Sequence, residues 1–218
     1  MIINKKMKLN LIITPKDKKL QKYTNQLKQN WDLLESIIIN MYSLCNINNF
    51  SDNIPINLIY GKNNEEIFAW FSWTPKNSSI TIEFSKSSKP EKGFLIIVLI
   101  HEIFHLMLRK NKKLMQKISE YSESNKSILK KIKEKELPFR IILEELIISS
   151  FIPEGYLSKK YFNKQIKKTP NKFLHNDLID WRKYIAYKMQ KYAKLYFDKK
   201  QTIDDAYINK IIDLIKKQ

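Results

Sequence analysis

The sequence predicts an α+β fold: a small mixed or antiparallel sheet and a buried helix in the N-terminal half, followed by a mainly helical C-terminal part. Three observations carry this. Segments with two-residue alternation and β-branched or aromatic enrichment fall between positions 8 and 84, three- and four-residue apolar spacing dominates after position 94, and 43% of the 218 residues are hydrophobic, enough for a sizeable core. We expect a single domain, with an α/β part to about residue 110 and a helical part over about 111–218.

"KLNLIIT" (8–14) predicts a strand. "TPKD" after it supplies Thr14 as a helix cap, Pro15 at the first helical position and Asp17 in the first turn. Leu20, Tyr23, Leu27, Trp31, Leu34, Ile38, Met41 and Tyr42 then recur at helical steps, so one long helix is expected to about Asn46. The polar cluster "NINNFSDN" ends it. "IPINLIY", "EIFAWFSW" and "SITIEF" read as strands, the last two pairing through "TPKNSS", with Ile80, Ile82 and Phe84 on one face. The loop "SKSSKPEKG" leads into an apolar helix from about Glu91 to Lys110. The charged stretch 111–137 has helical spacing but a weak apolar face, and is expected to be a helical excursion. Pro138 starts a strongly apolar helix, "PFRIILEELIISSFI", ended by Pro153 and Gly155; the remainder reads as helices with caps at Ser158 and Thr202.

Forty Lys and Arg against 22 Asp and Glu give a formal charge of +18. The lysines are spread along the chain and no nucleic-acid motif accompanies them, so no nucleic-acid partner is expected. The longest apolar run, Phe94–Ile100, stops at His101 and Glu102, well short of a membrane span of about 20 residues. The N-terminus lacks the pattern of a signal peptide, and the lone Cys45 suits a reducing compartment. A cytoplasmic location is expected, without membrane association, and with Cys45 packed as a small apolar residue.

The chemistry concentrates in "LIHEIFHLML" (99–108). His101 and His105 are four residues apart, so on a helix both rings can address one ion about 2.0–2.1 Å away. Glu102, about 100° further round, can reach a water on that ion without ligating it. Zinc lowers the pKa of such a water towards about 7, and a neighbouring carboxylate takes its proton as it attacks a carbonyl. With this composition the pattern arises by chance on the order of a few thousandths of a time per chain. Two histidines buried beside a carboxylate for packing alone would need a cation or a hydrogen-bond network to offset desolvation.

The motif H-E-x-x-H resembles that of the zincin metallopeptidases, and specifically the gluzincin branch, in which a glutamate from a downstream helix completes the zinc site. The metzincin extension is absent, since position 108 is Leu and position 111 is Asn. The resemblance implies a zincin-like fold, a Zn2+ cofactor held by His101, His105 and a glutamate, Glu102 as general base, and a peptide or protein substrate. Within "RIILEELIISSF" the implied third ligand is Glu145, 40 residues past His105 (145 − 105), because Ser149 lies one turn on and a small polar residue there supports a histidine ring in the family; Glu144 is the alternative. The resemblance also implies that "SITIEF" is the edge strand that holds substrate. Tyr156 and His175 are candidates to stabilise the oxyanion. The expected activity is therefore a zinc metallopeptidase. The alternatives are a regulatory peptidase specific for a repressor-like partner, to which "ELIISSFIP" bears a fainter similarity, and a basic non-catalytic binding protein.

Overall fold

The computed structural model describes residues 10–15, 17–47, 53–61, 67–73, 78–86, 93–134, 137–165 and 177–218. The architecture is α+β, as expected, and the chain forms two compact units: residues 1–42 with 47–107, and residues 43–46 with 108–218.

The first unit holds the sheet. Strands β1 (Asn10–Pro15), β2 (Asn53–Tyr60), β3 (Ile67–Trp73) and β4 (Ser78–Phe84) lie in the order β1-β2-β4-β3. β1, β2 and β4 run parallel, and β3 is antiparallel to β4, with Phe71 opposite Ile80. The sheet is thus mixed. Ile54, Ile56 and Leu58 of β2 and Ile80, Ile82 and Phe84 of β4 are fully buried, as two-residue alternation requires of one covered face. The expectation that "SITIEF" is an edge strand is corrected: β4 is flanked by β2 and β3, and β3 is the outer strand among the described residues. The pairing of β3 with β4 is as expected, although residues 74–77 between them lie outside the described residues.

Thr14 and Pro15 belong to β1 and do not start a helix. The cap is Asp17, whose carboxylate accepts from the Lys19 N–H at 2.7 Å and opens a 3-10 turn over Lys18–Leu20. Two helices follow in place of one, α1 (Gln21–Gln29) and α2 (Trp31–Leu44). The break is at Asn30, whose side-chain amide donates to the Gln26 carbonyl at 2.8 Å while its backbone leaves helical geometry. Tyr23 of α1 stacks on Phe84 of β4, centroids 4.3 Å apart, and anchors α1 on the sheet.

Helix α3 (Phe94–Lys110) begins after Gly93, which sits at φ 87°, a left-handed conformation that favours glycine. Every residue from Leu99 to Leu108 is buried, so this is an interior helix carrying polar groups in its middle.

The second unit is helical: α4 (Lys112–Ser124), α5 (Lys126–Leu129), α6 (Phe139–Ser149), α7 (Tyr156–Phe162), α8 (Leu178–Asp198) and α9 (Asp205–Lys216). α6 packs against α4, α5, α8 and α9, so nearly all its surface is interior. Residues 111–134 of the stretch expected to be an excursion are therefore packed: Leu114, Ile118 and Ser122, one helical turn apart, turn α4 inward, and Leu129 and Ile132 follow. The caps also move. α7 is entered through Gly155 with Ser158 inside the helix, and α9 is capped by Asp204, which accepts from the Tyr207 N–H at 3.0 Å. Thr202 instead donates its hydroxyl to the Ser43 carbonyl. Cys45 is fully buried, and that burial pushes its thiol well above the usual range. Among the described residues no helix is long and apolar enough to cross a membrane.

Candidate metal centre

α3 places His101, His105 and Arg109 at successive four-residue steps, each about 40° on from the last, along one stripe of the helix. His101, Glu102 and His105 are 9%, 7% and 4% exposed. The two rings meet edge to face at 77°, and their Nε2 atoms are 3.2 Å apart. Two nitrogens on a tetrahedral zinc, each about 2.0–2.1 Å from it, are separated by about 3.3–3.4 Å. The observed separation fits a shared ion with little adjustment. Phe71 of β3 stacks on the His105 ring, centroids 5.2 Å apart and 18° from parallel, which limits how that ring can turn.

α6 supplies the two adjacent glutamates, and they have separate surroundings. Glu144 is fully buried, with Arg109 Nη2 at 3.4 Å and Arg140 Nη1 at 3.6 Å. Glu145, 15% exposed at its side chain, offers a ligand atom to the histidines: one atom each from His101, His105 and Glu145 lie within 4.8 Å of one another. The chain thus contains a candidate metal-binding triad of two imidazoles and a carboxylate, the donor types that catalytic zinc takes.

Of the two glutamates, Glu145 falls in this cluster. The Ser149 hydroxyl, expected to support a histidine ring, donates to the Leu146 carbonyl of its own helix at 3.0 Å. Among the described residues the glutamates differ in how many arginines face them, Arg109 and Arg140 for Glu144 and Arg182 for Glu145. Arg140 stands four residues before Glu144 on the same helix, and Arg109 reaches the same oxygen from α3. That signal was present in the sequence: Ile141 occupies the corresponding position before Glu145.

Sequence reasoning missed Arg109, Arg140 and Arg182. Arg182 of α8 faces Glu145 with Nη1 at 3.6 Å and Glu154 with Nη2 at 3.1 Å. Nothing in local spacing connects residues 145 and 182.

Of the two oxyanion candidates, Tyr156 directs its hydroxyl to both carboxylate oxygens of Asp198, at 3.1 and 3.0 Å. Partial burial raises its pKa, as does the bond to Asp198. His175 lies outside the described residues. Comparison with protein-family models, curated proteins and solved structures finds no match to this chain.

Proposed function

We propose that the protein is a zinc-dependent peptidase in which His101, His105 and Glu145 hold the ion and Glu102 is the general base. The observation that carries this reading is the convergence of the three ligand atoms within 4.8 Å, from a histidine pair spaced for one ion and a glutamate 40 residues on (145 − 105). Zinc, when bound, supplies the Lewis acidity that polarises a carbonyl and makes water acidic near neutral pH. Glu102 sits between the histidines in sequence and is buried beside them on α3, and as the carboxylate of the motif it is assigned the role of proton acceptor. It takes that proton from the attacking water and delivers it to the leaving amine. The peptide or protein substrate in this reading rests on the resemblance of the H-E-x-x-H motif to that of the zincin metallopeptidases.

Glu102→Gln tests it. The amide keeps the shape but cannot take a proton, so hydrolysis of a panel of peptides and unfolded proteins is expected to fall by about 10²–10⁴-fold with zinc content unchanged. Undiminished turnover in that variant refutes the role of Glu102. A wild-type chain that stays folded and takes up no zinc overturns the whole reading in favour of a basic binding protein.

A further inference from the structure

Arg182 reaches two carboxylates with the two ends of one guanidinium. Nη1 lies 3.6 Å from Glu145 Oε2, Nη2 lies 3.1 Å from Glu154 Oε1, and Nη2 donates to Glu154 Oε2 at 3.3 Å. Its Nε is buried and makes no hydrogen bond. The side chain is 20% exposed, so these contacts are sheltered from solvent screening.

The anchor at the far end is rigid. Glu154 sits in the turn between α6 and α7, which is tied back to the end of α6 by Tyr156 N–H to the Ser150 carbonyl at 3.1 Å and Leu157 N–H to the Phe151 carbonyl at 2.8 Å. Glu154, on that anchored turn, accepts a hydrogen bond from Arg182, and Arg182 in turn presents its charge to one oxygen of Glu145 at 3.6 Å, an electrostatic approach that favours one orientation of the carboxylate. The charges also matter. One guanidinium between two carboxylates leaves a net negative charge, so Arg182 orients Glu145 without cancelling its attraction for a cation.

We propose that Arg182 is a positioning residue for the third metal ligand, held in place by Glu154. This rests on the assignment of Glu145 as a ligand. By restraining the carboxylate before an ion arrives, Arg182 removes part of the side-chain entropy that binding would otherwise cost. A lysine offers a point charge on a flexible stem and cannot span both carboxylates in the same way.

The test is zinc affinity of the full chain, measured by chelator competition, for wild type, Arg182→Met, Arg182→Lys, Glu145→Gln and the double variant Glu145→Gln/Arg182→Met. Melting of the metal-free proteins checks that each is folded. Arg182→Met is expected to bind zinc about 10- to 100-fold more weakly than wild type, the range for loss of a group that orients a ligand. Arg182→Lys should fall between the two, and it carries the test if the Met variant does not fold. In the Glu145→Gln background the Arg182 substitution should have no further effect, because its influence passes through Glu145. Wild-type or tighter affinity in Arg182→Met, or an equal loss in both backgrounds, overturns the proposal while leaving the metal site standing. If Glu145→Gln itself binds zinc as tightly as wild type, Glu145 is not a ligand and both readings fall.

Discussion

Glu144→Gln separates the two adjacent glutamates. Glu144 is fully buried, so its charge has given up its hydration and persists through Arg109 at 3.4 Å and Arg140 at 3.6 Å. At an effective dielectric of about 20, a unit charge pair at such a distance attracts by about 5 kcal/mol before desolvation is subtracted. Removing one partner of a buried pair costs about 3–5 kcal/mol, and Arg109 and Arg140, 21% and 34% exposed, can regain some water once released. The expected loss is therefore at the low end, about 3 kcal/mol, or roughly 6–12 °C in melting temperature for a chain of this size.

Thermal and urea unfolding of metal-free wild type, Glu144→Gln and Glu145→Gln give the comparison, with zinc affinity measured on the same samples. Glu144→Gln should lose stability and keep its affinity for zinc. Glu145→Gln, whose side chain is less buried and faces Arg182 where Glu144 faces both Arg109 and Arg140, should lose less stability and lose zinc by 100-fold or more, beyond the range for groups that only orient a ligand. A Glu144→Gln protein that melts within about 1 °C of wild type refutes the buried-charge argument. Loss of zinc in Glu144→Gln with wild-type affinity in Glu145→Gln reverses the ligand assignment.

Two further predictions concern the helical unit. A Cβ at Gly155 would stand 2.0 Å from the Ser150 carbonyl oxygen and 2.6 Å from the Phe151 nitrogen, both backbone atoms, so Gly155→Ala should destabilise by about 1–3 kcal/mol in urea unfolding; an unchanged midpoint would mean that the turn is open. Partial burial of Asp198 opposes ionisation, but hydrogen bonds from Lys160, Lys194 and Tyr156 outweigh it and hold its carboxyl down at about 2, against about 3.9 unfolded. A carboxyl lowered on folding stabilises above its unfolded pKa, and that stability is lost as pH falls from about 4 to about 2. Asp198→Asn should cost about 1 kcal/mol at pH 7, given how much water reaches these lysines, and only a small part of that at pH 2, where the folded carboxyl is about half protonated; a cost undiminished at pH 2 contradicts the ionic account.

The fold was legible where side-chain periodicity is long and strong. Alternation in "SITIEF" put Ile80, Ile82 and Phe84 on the buried face, and the all-round apolar character of 94–108 marked an interior helix. Single-residue events were not legible. Asn30 interrupts a helix whose apolar steps continue almost undisturbed across the break, because a local side-chain bond to the Gln26 carbonyl competes with the backbone ladder. Caps shifted for a related reason. Thr14 and Thr202 each precede an aspartate within three residues, and Asp17 and Asp204 took the cap. In 111–137 the inward stripe of α4 is only Leu114, Ile118 and Ser122, so the many lysines around it concealed a packed helix.

The candidate site divides along the same line. Histidine spacing is a property of one helix turn, so the approach of His101 and His105 to one another could be read directly. The two neighbouring acids differ in the arginines that face them, and half of that difference was local: Arg140 lies one turn before Glu144, whereas Ile141 lies one turn before Glu145, whose arginine, Arg182, comes from α8. The other half, Arg109, lies one turn beyond His105 on the same stripe of α3, and an arginine on the stripe of a buried helix needs an anion. Taken together, the two arginines balance the buried charge of Glu144. A doubled acid in an apolar helix is then not redundancy. One carboxylate is held in the packing by arginines from two helices, and its neighbour, about 100° round the same backbone, faces Arg182 and falls in the candidate triad with His101 and His105.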